Sequence, residues 1–356
     1  MAYSEIDINT PSTAYTNLQN WVNATLPITL TLESDPDVGG LNNLSNLFNN
    51  HRQLTTANLT TLNVSNVTNM SNVFTNCHNL TTLDVSNWNT NKVTSMGNLF
   101  YRCNNLTTLN VSNWNTSNVT YMYNLFTSCS NLTTLDVSNW NTSKVTTTIQ
   151  MFSGCSSLTT LDVSNWNTSK VTGMYDMFFN CQNLTTLNVS NWNTSNVTDM
   201  EDLFQHCSNL TTLDVSNWNT SNVESMYCMF YGCSSLTTLD VSNFDTSSVD
   251  NMYFMFADCY NLITLSINNW NTDNVECMCQ MFLNCNNLSI QTYNQIANML
   301  PLATNLTNQY LRNIGLNVNK FGNDQLTILN TKGYLDAIPV SVSNVYKITY
   351  TNATVS

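Results

Sequence analysis

The residues from Leu132 to Cys155 read LTTLDVSNWNTSKVTTTIQMFSGC, and the same pattern recurs along the chain with a period of 26 residues. The clearest copies begin at Leu80, Leu106, Leu132, Leu158, Leu184, Leu210, Leu236 and Leu262. Cysteines mark the same period at Cys77, Cys103, Cys129, Cys155, Cys181, Cys207, Cys233, Cys259 and Cys285. Self-similarity at a fixed period of about 20–50 residues is typical of stacked repeat proteins, so this stretch predicts a solenoid.

Each copy contains a strand pattern followed by a helical pattern. After Leu80, Leu83 and Val85 alternate with polar residues, which predicts a short half-buried strand. Apolar residues then fall at the three- and four-residue spacing of one helix face, at Val93, Met96, Leu99, Phe100 and Cys103. The predicted fold class is an α/β repeat solenoid, with one short parallel strand plus a short helix per 26-residue repeat and with N- and C-terminal caps.

Stacking places equivalent residues above one another at the strand spacing of about 4.7–4.9 Å. An aromatic ladder is predicted at Trp88, Trp114, Trp140, Trp166, Trp192, Trp218 and Trp270, with Phe244 in the one gap. A polar ladder is predicted at Asn87, Asn113, Asn139, Asn165, Asn191, Asn217 and Asn243. We expect these Asn side chains to point inward and to satisfy buried backbone amides, because buried polar groups need partners.

The opening Leu-x-x-Leu-x-Val of each copy resembles the leucine-rich repeat. The fuller pattern, LTTLDVSNWNTSxVTxMxxMFxxC, is similar to the 26-residue repeat of the BspA-like bacterial surface proteins, a family that also occurs in phage proteins. The resemblance covers most of the chain. It implies a leucine-rich-repeat-like solenoid used for adhesion or surface recognition, and it carries over no catalytic residues.

The period divides the chain into three regions. Residues 1–40 are predicted to be an N-terminal cap or attachment segment with a strand within residues 26–33. Residues 41–290 form the predicted solenoid. Residues 291–356 are predicted to be a C-terminal mixed α/β cap, which begins with a helix before Pro301 and ends with the alternating pattern of a strand.

Composition excludes several function classes. The chain carries 22 acidic and 9 basic side chains, and a net charge of −13 argues against binding to nucleic acid or anionic membranes. No run of about 18 apolar residues predicts a membrane span, so no membrane insertion is expected. The three histidines are scattered, and a 26-residue cysteine period is not metal-ligand spacing, so we predict no cofactor, no metal and no catalytic group.

The periodic cysteines are expected to be small buried core residues with free thiols. Three cysteines break the period, at Cys228, Cys277 and Cys279. Cys277 and Cys279 stand two apart on the predicted helix, so their side chains are expected to diverge. We expect one of these two to be the first thiol to react.

The outward face of the predicted strands is the candidate binding surface. Its predicted binding residues are Thr82, Asp84, Asp136, Asp162, Asp214 and Asp240. Stacking brings Asp136 next to Asp162, and Asp214 next to Asp240, and such pairs of like charges repel one another. A cation such as Ca²⁺ would relieve that repulsion, and the alternative is a polar face with water between the carboxylates, which we favour.

These features predict a non-enzymatic recognition or structural protein exposed on a surface. A regular array of Thr, Asp and Ser suits a repetitive ligand, either a polysaccharide or a protein on a host or partner cell. The first seven residues lack the basic and apolar runs of a secretory signal, which favours a phage virion protein, as a fibre, decoration or host-adhesion component. The alternative is a bacterial cell-surface adhesin, and contacts with other virion proteins or with further copies of the chain stay open.

Overall fold

The computed structural model describes residues 29–31, 42–300, 314–315, 327–329 and 331–332. The elements that lie completely within these residues are five three-residue strands and one ten-residue helix. The strands are β1 (Thr29–Thr31), β2 (Thr56–Asn58), β3 (Thr82–Asp84), β4 (Thr238–Asp240) and β5 (Thr264–Ser266). The helix, α1, spans Ile290–Met299.

The strands stack in parallel, one repeat on the next. Thr56 pairs with Thr82 and Thr238 pairs with Thr264, each across one 26-residue period. Between β3 and β4 the same column continues as single bridges, such as Thr82 to Thr108 and Thr160 to Thr186. The predicted solenoid with one short parallel strand per repeat is therefore confirmed.

A second column of parallel bridges, which the sequence analysis did not predict, runs along another side of the solenoid. It connects Asn43, Asn69, Ser95, Tyr121, Thr147, Gly173, Asp199, Ser225, Asn251 and Cys277 without a gap. Most neighbouring repeats are thus joined by backbone bonds at two separate places. We call this row of residues the second bridge column.

The segment after each of these bridges is not a helix, so the prediction of a short helix per repeat is wrong. In the repeat that begins at Leu80, residues 97–102 form two linked turns, with the backbone of Asn98 and Arg102 in the left-handed region at φ 56° and 59°. Such residues interrupt an α-helix. Alternate amides instead donate to the next repeat, as Phe100 N–H does to the carbonyl of Leu125 at 3.0 Å. We call residues 97–102 and their equivalents the turn segment.

The apolar residues within and beside the turn segment are nevertheless buried as predicted. Met96, Leu99, Phe100 and Cys103 are all fully buried. Turns closed between residues three apart repeat an inward position every three or four residues, as a helix does. The spacing identified the core residues correctly but did not distinguish the two conformations.

Stacked side chains fill the core along its length. The rings of Trp140 and Trp166 lie 6.5 Å apart with planes inclined by 3°, and a second ladder runs beside them from Phe48 to Phe282. The indole of Trp166 donates to the carbonyl of Val137 at 3.2 Å. The predicted aromatic ladder therefore also satisfies backbone carbonyls of the preceding repeat.

The prediction of an inward Asn ladder at Asn87 and its equivalents is wrong, because these side chains are exposed. A buried threonine three residues later serves the neighbouring backbone instead. Thr90 donates to the carbonyl of Asn115 at 3.0 Å, and Thr168 donates to the carbonyl of Asn193 at 2.9 Å. A threonine hydroxyl is short enough to bond the next repeat without leaving spare polar atoms in the core.

β1 precedes the clearest repeats and α1 follows them. Each lies against the strand at its end of the solenoid. β1 pairs with β2, which confirms a strand within residues 26–33. α1 covers the open edge of β5, where the backbone amide of Leu265 donates to the Thr292 hydroxyl at 3.1 Å. Covering an edge strand blocks further pairing. The predicted boundary at residue 40, the elements predicted before residue 29 and the strand predicted near the C-terminus lie outside the described residues, and the division into three regions stays a prediction.

Candidate functional site

The strand column forms a shallow groove along the solenoid. Three adjoining depressions occupy it, with volumes of about 680, 650 and 300 Å³. Together they run from Thr82 to Ser266. We call this surface the strand-face groove. Its walls repeat Thr and Asp or Asn, and nearly buried leucines such as Leu161 and Leu187 form its floor.

The structure places all six predicted binding residues on this groove. Thr82 and the carboxylates of Asp136, Asp162, Asp214 and Asp240 are exposed, and Asp84 is half-buried. Neighbouring repeats bring Asp136 beside Asp162, and Asp214 beside Asp240, as predicted. Whether these residues bind a ligand stays a prediction.

Each of these carboxylates also has a local role that the sequence analysis missed. Oδ1 of Asp162 accepts from the backbone amide of Ser164 at 3.0 Å and from its hydroxyl at 2.6 Å. Asn188 makes the same two bonds to Ser190, at 3.3 and 2.9 Å. This arrangement closes the turn that ends each strand. Either Asp or Asn can therefore occupy this position, because both supply the required oxygen.

The Ser contacts also favour the ionised form of two carboxylates in the groove. The Ser164 hydroxyl, with its backbone amide, lowers the pKa of Asp162 below its usual range. Ser216 lowers the pKa of Asp214 in the same way. These carboxylates stay ionised at neutral pH. Among the described residues, no three His, Cys, Asp or Glu side chains gather as a metal site requires.

Carboxylates of the turn segments are in a different environment from those of the groove. Burial, together with the nearby charges of Asp176 and Glu201, raises the pKa of Asp202 to about 7. Burial likewise raises the pKa of Asp176, whose carboxylate accepts from the Gln150 amide at 2.9 Å. The pKa is thus lowered at Asp162 and Asp214 on the strand face and raised at Asp176 and Asp202 on the turn segments.

The periodic cysteines are free and buried, as predicted. The thiol of Cys103 donates to the carbonyl of Phe74 at 3.2 Å, and every other periodic cysteine makes the equivalent bond. Burial raises the pKa of Cys129 and Cys181 to about 12. These thiols are therefore unreactive parts of the core at neutral pH.

Cys277 and Cys279 differ from the periodic thiols, and the prediction that they diverge is wrong. Cys277 lies half-buried in the second bridge column rather than on a helix. The thiol of Cys279 donates a hydrogen bond to Cys277 and lowers the pKa of Cys277 to about 7. Extended backbone directs side chains two residues apart toward the same side, which allows this contact.

Leucine-rich repeat proteins are among the solved structures to which this chain is similar. No curated protein matches it. Similar solved structures include a leucine-rich cell surface protein from Faecalibacterium prausnitzii, with 15% identity, TM-score 0.36 and 74% of both chains covered. A leucine-rich repeat protein from Bacteroides ovatus has 15% identity and TM-score 0.25, over 73% of this chain and 85% of that one.

The TLR13–ssRNA13 complex has 17% identity and TM-score 0.32, over 77% of this chain, and the chain spans only 40% of that longer protein. Among the described residues, no helix is long and apolar enough to cross a membrane.

A family model matches the repeats themselves. Its five overlapping matches cover residues 16–108, 42–161, 94–210, 150–257 and 177–296. Together they span most of the chain, including every clear copy of the 26-residue repeat. The resemblance to 26-residue BspA-like repeats is thereby confirmed. The chain belongs to the family described as Mycoplasma protein of unknown function, DUF285.

Proposed function

We propose that this protein is a non-enzymatic recognition protein, exposed on a surface, whose strand-face groove binds an extended and repetitive ligand. The observation that carries the proposal is the continuity of the groove, since three adjoining depressions run from Thr82 to Ser266 with the same residue types in each repeat. A ligand with its own regular repeat meets the same hydroxyls and carboxylates many times. Several weak contacts engaged together give strong binding through effective concentration.

The chemistry of the groove supports a polysaccharide or fibrous protein as that ligand. Thr160, Thr186 and Thr212 present hydroxyls along one wall, and the ionised Asp162 and Asp214 present acceptors beside them. Sugar hydroxyls and backbone amides both bond to such groups. The groove is open and shallow, so a chain can lie along it without threading through an entrance.

A binding assay on whole cells tests the role of the groove. The test variant replaces Asp136, Asp162, Asp214 and Asp240 with Asn, which Asn110 and Asn188 show to be compatible with the same turn. The control variant is Asp245→Asn, because Asp245 lies outside the groove depressions and holds only its own turn through Ser247. Labelled protein is then measured on host or partner cells by flow cytometry.

The proposal predicts that the fourfold variant loses at least about tenfold in apparent affinity, since several contacts are removed together. The control variant should bind as the parent does. Equal binding of all three proteins, with unchanged melting temperatures, would show that the groove carboxylates do not recognise the ligand.

More specifically, the proposal is that this protein is a component of a phage virion. The alternative is that it is a bacterial cell-surface adhesin. The similarity to BspA-like repeats supports both, and the Mycoplasma origin in the family's description favours a bacterial surface. Immunogold electron microscopy of producing cells and of purified particles separates them. Label on particles supports the virion role, label on the cell envelope supports the adhesin role, and label confined to the cell interior contradicts surface exposure.

A further inference from the structure

The turn segments differ from one repeat to the next, unlike the strands. In the repeat that begins at Leu80, the positions that change are those of Gly97, Asn98, Tyr101 and Arg102. The equivalents of Leu99 and Phe100 stay apolar because they enter the core. In repeat proteins the face that varies between copies is often the binding face. We call these varying outward positions the turn face.

Six aromatic side chains form one connected group on the turn face. We call it the aromatic patch, and its members are Phe179, His206, Tyr227, Tyr231, Tyr253 and Phe254. Ring centroids lie 6.3 Å apart for Phe179 and His206, and 4.8 Å apart for His206 and Tyr231. Tyr231 and Phe254 follow at 5.6 Å, and Phe254 and Tyr253 at 4.1 Å. Tyr227 stacks on Tyr253 at 5.6 Å.

All six rings are half-buried, so each presents part of its surface to solvent. The patch connects four successive repeats across the stack. Large aromatic residues grouped at a surface are typical of interfaces, because they supply much contact area with few rotatable bonds. The equivalent positions in the earlier repeats are mixed, since Tyr101, Tyr123 and Tyr175 are aromatic whereas Asn124, Thr127 and Ser128 are small or polar.

Two local features hold the rings in place at some cost. Phe254 has φ 55°, a left-handed conformation that is rare for a bulky residue and is strained. Asn98 and Asn124 occupy the same position and tolerate it better. Gly232 lies directly under His206, and a Cβ there would come within 2.4 Å of its ring nitrogen. Neither Phe254 nor Gly232 is needed to build a repeat, because other repeats carry residues such as Asn98 and Arg102 at these two positions.

Negative charge surrounds the patch. Residues 171–311 contain twelve of the 22 acidic side chains and none of the nine basic ones. Burial and the nearby carboxylate of Asp258 raise the pKa of both Tyr231 and Tyr260, which places that carboxylate beside the patch. Glu224, three residues before Tyr227, is exposed, and Asp250 and Glu276 continue its row in the next two repeats. Aromatic faces and carboxylates both attract cations.

We propose that the aromatic patch with its surrounding carboxylates is a second interaction surface, and that it binds an arginine-bearing, basic segment of a partner protein. A guanidinium stacks flat on a Tyr or Phe ring while its edge pairs with a carboxylate, and the patch offers both groups side by side. Lysine is a more strongly hydrated point charge and stacks less well. The proposal does not rest on the strand-face groove, which lies in the other column of the solenoid.

Synthetic peptides test the proposal on the full-length protein. The probes are fluorescein-labelled octa-arginine, octa-lysine and, as a cationic carbohydrate, a glucosamine oligomer of similar length. Fluorescence anisotropy measures binding at low and at near-physiological salt. We expect octa-arginine to bind about fivefold or more tightly than octa-lysine, with the difference persisting at the higher salt because stacking is less screened than charge attraction.

Variants that use residues from other repeats keep the fold. The test variant is Tyr231→Thr with Phe254→Asn, since Thr127 and Asn124 occupy the equivalent positions in the repeat that begins at Leu106. It should bind octa-arginine no better than octa-lysine. The control is Tyr121→Thr, because Tyr121 is 49% exposed but lies in the second bridge column away from the patch. This control should bind both peptides as the parent does.

A second variant tests the charges independently of the rings. It replaces Glu224, Asp250 and Glu276 with Thr, the residue that Thr198 provides in the same row. This variant should bind both peptides more weakly than the parent does but should still prefer octa-arginine. The proposal is overturned if parent and Tyr231→Thr/Phe254→Asn protein bind octa-arginine equally, or if arginine and lysine peptides bind alike to the parent. Tighter binding of the glucosamine oligomer than of octa-arginine would overturn it in favour of a polysaccharide partner.

Discussion

On the strand face, Thr, Leu, Asp or Asn, Val and Ser recur in nearly every repeat, whereas on the turn face four positions change from one repeat to the next. Several of the residues that recur in the repeats have structural partners. Asp136 closes the turn of its own repeat through Ser138, and Thr142 bonds the backbone of the next repeat. The comparison teaches that residues shared by the repeats build the solenoid, while those that vary give each repeat its own surface.

The two faces also differ in how their carboxylates are held. On the strand face the Ser216 hydroxyl lowers the pKa of Asp214. On the turn face burial and neighbouring acids raise the pKa of Asp202. The recurring Asp therefore has a stabilising partner within its own repeat, whereas a varying position such as Asp176 depends on a residue of a neighbouring repeat, here Gln150. Four predictions test this difference.

The largest effect should come from deleting part of a repeat. Removing residues 132–157 takes out one whole 26-residue unit and keeps both bridge columns in register, so a shorter folded protein is expected. Removing residues 132–144 places turn segments against strands and should abolish folding. Circular dichroism and thermal melting of both deletions measure this. Similar melting curves for the two would contradict the stacking argument.

A recurring core residue should matter far more than a varying surface residue of similar size. Trp166→Ala empties a buried position between Trp140 and Trp192 and should lower the free energy of unfolding by about 3–5 kcal/mol. Tyr231→Thr should change it by about 1 kcal/mol or less, because the ring is half-buried and Thr127 occupies the equivalent position. Urea unfolding of both variants gives the comparison. Comparable losses would show that the turn face is also structural.

The sequence was sufficient to predict the solenoid and its core but not the conformation of the turn segments. The spacing of Met96, Leu99 and Phe100 is produced equally by a helix and by two linked turns. A distinguishing signal was present, because Asn98, Gly154 and Gly232 are residue types that tolerate left-handed backbone. In a helix these residues have no such reason to recur.

For the candidate sites, the sequence predicted positions better than roles. The Asp residues were correctly placed on the outward strand face, and the Ser two residues after each of them indicated a turn contact that was overlooked. The aromatic patch was only partly foreseeable. Its contacts join side chains from different repeats, such as His206 and Tyr231, and depend on ring orientations that periodicity does not specify.

Cysteine reactivity provides a third test, since the periodic thiols belong to the shared core and Cys277 does not. Cys277 should react with iodoacetamide at least about tenfold faster than any periodic cysteine near pH 7, because only its thiolate is well populated there. Its rate should rise with pH through about 7. Mass spectrometry of native protein after timed labelling identifies the modified residues.

The control for this labelling is Cys279→Ala, which removes the thiol that donates to Cys277. The pKa of Cys277 should then move back up toward its ordinary value, so labelling near pH 7 should slow while labelling at high pH is retained. Rapid labelling of several periodic cysteines in the parent would instead show that the core opens readily.

The smallest effect should be a pH dependence that differs between the two faces. Because the pKa of Asp202 is about 7 in the folded protein, folding favours its protonated form. Its contribution to stability is complete below the ordinary carboxyl pKa of about 4 and is lost as pH rises through about 7. Asp202→Asn should therefore raise the urea midpoint at pH 8 and leave it unchanged near pH 4.

Asp214→Asn is the matched strand-face variant, and its sign should be opposite. Ser216 lowers the pKa of Asp214, so the ionised carboxylate stabilises the fold above the ordinary pKa of about 4, and this stabilisation is lost as pH falls. The Asn variant should be slightly less stable than the parent at pH 8, because Asn188 makes the same turn contacts at longer distances. Urea midpoints of both variants at pH 4 and pH 8 measure the sign of each stability change. If both substitutions shift stability in the same direction at pH 8, then partners supplied by the repeat do not explain the difference between the faces.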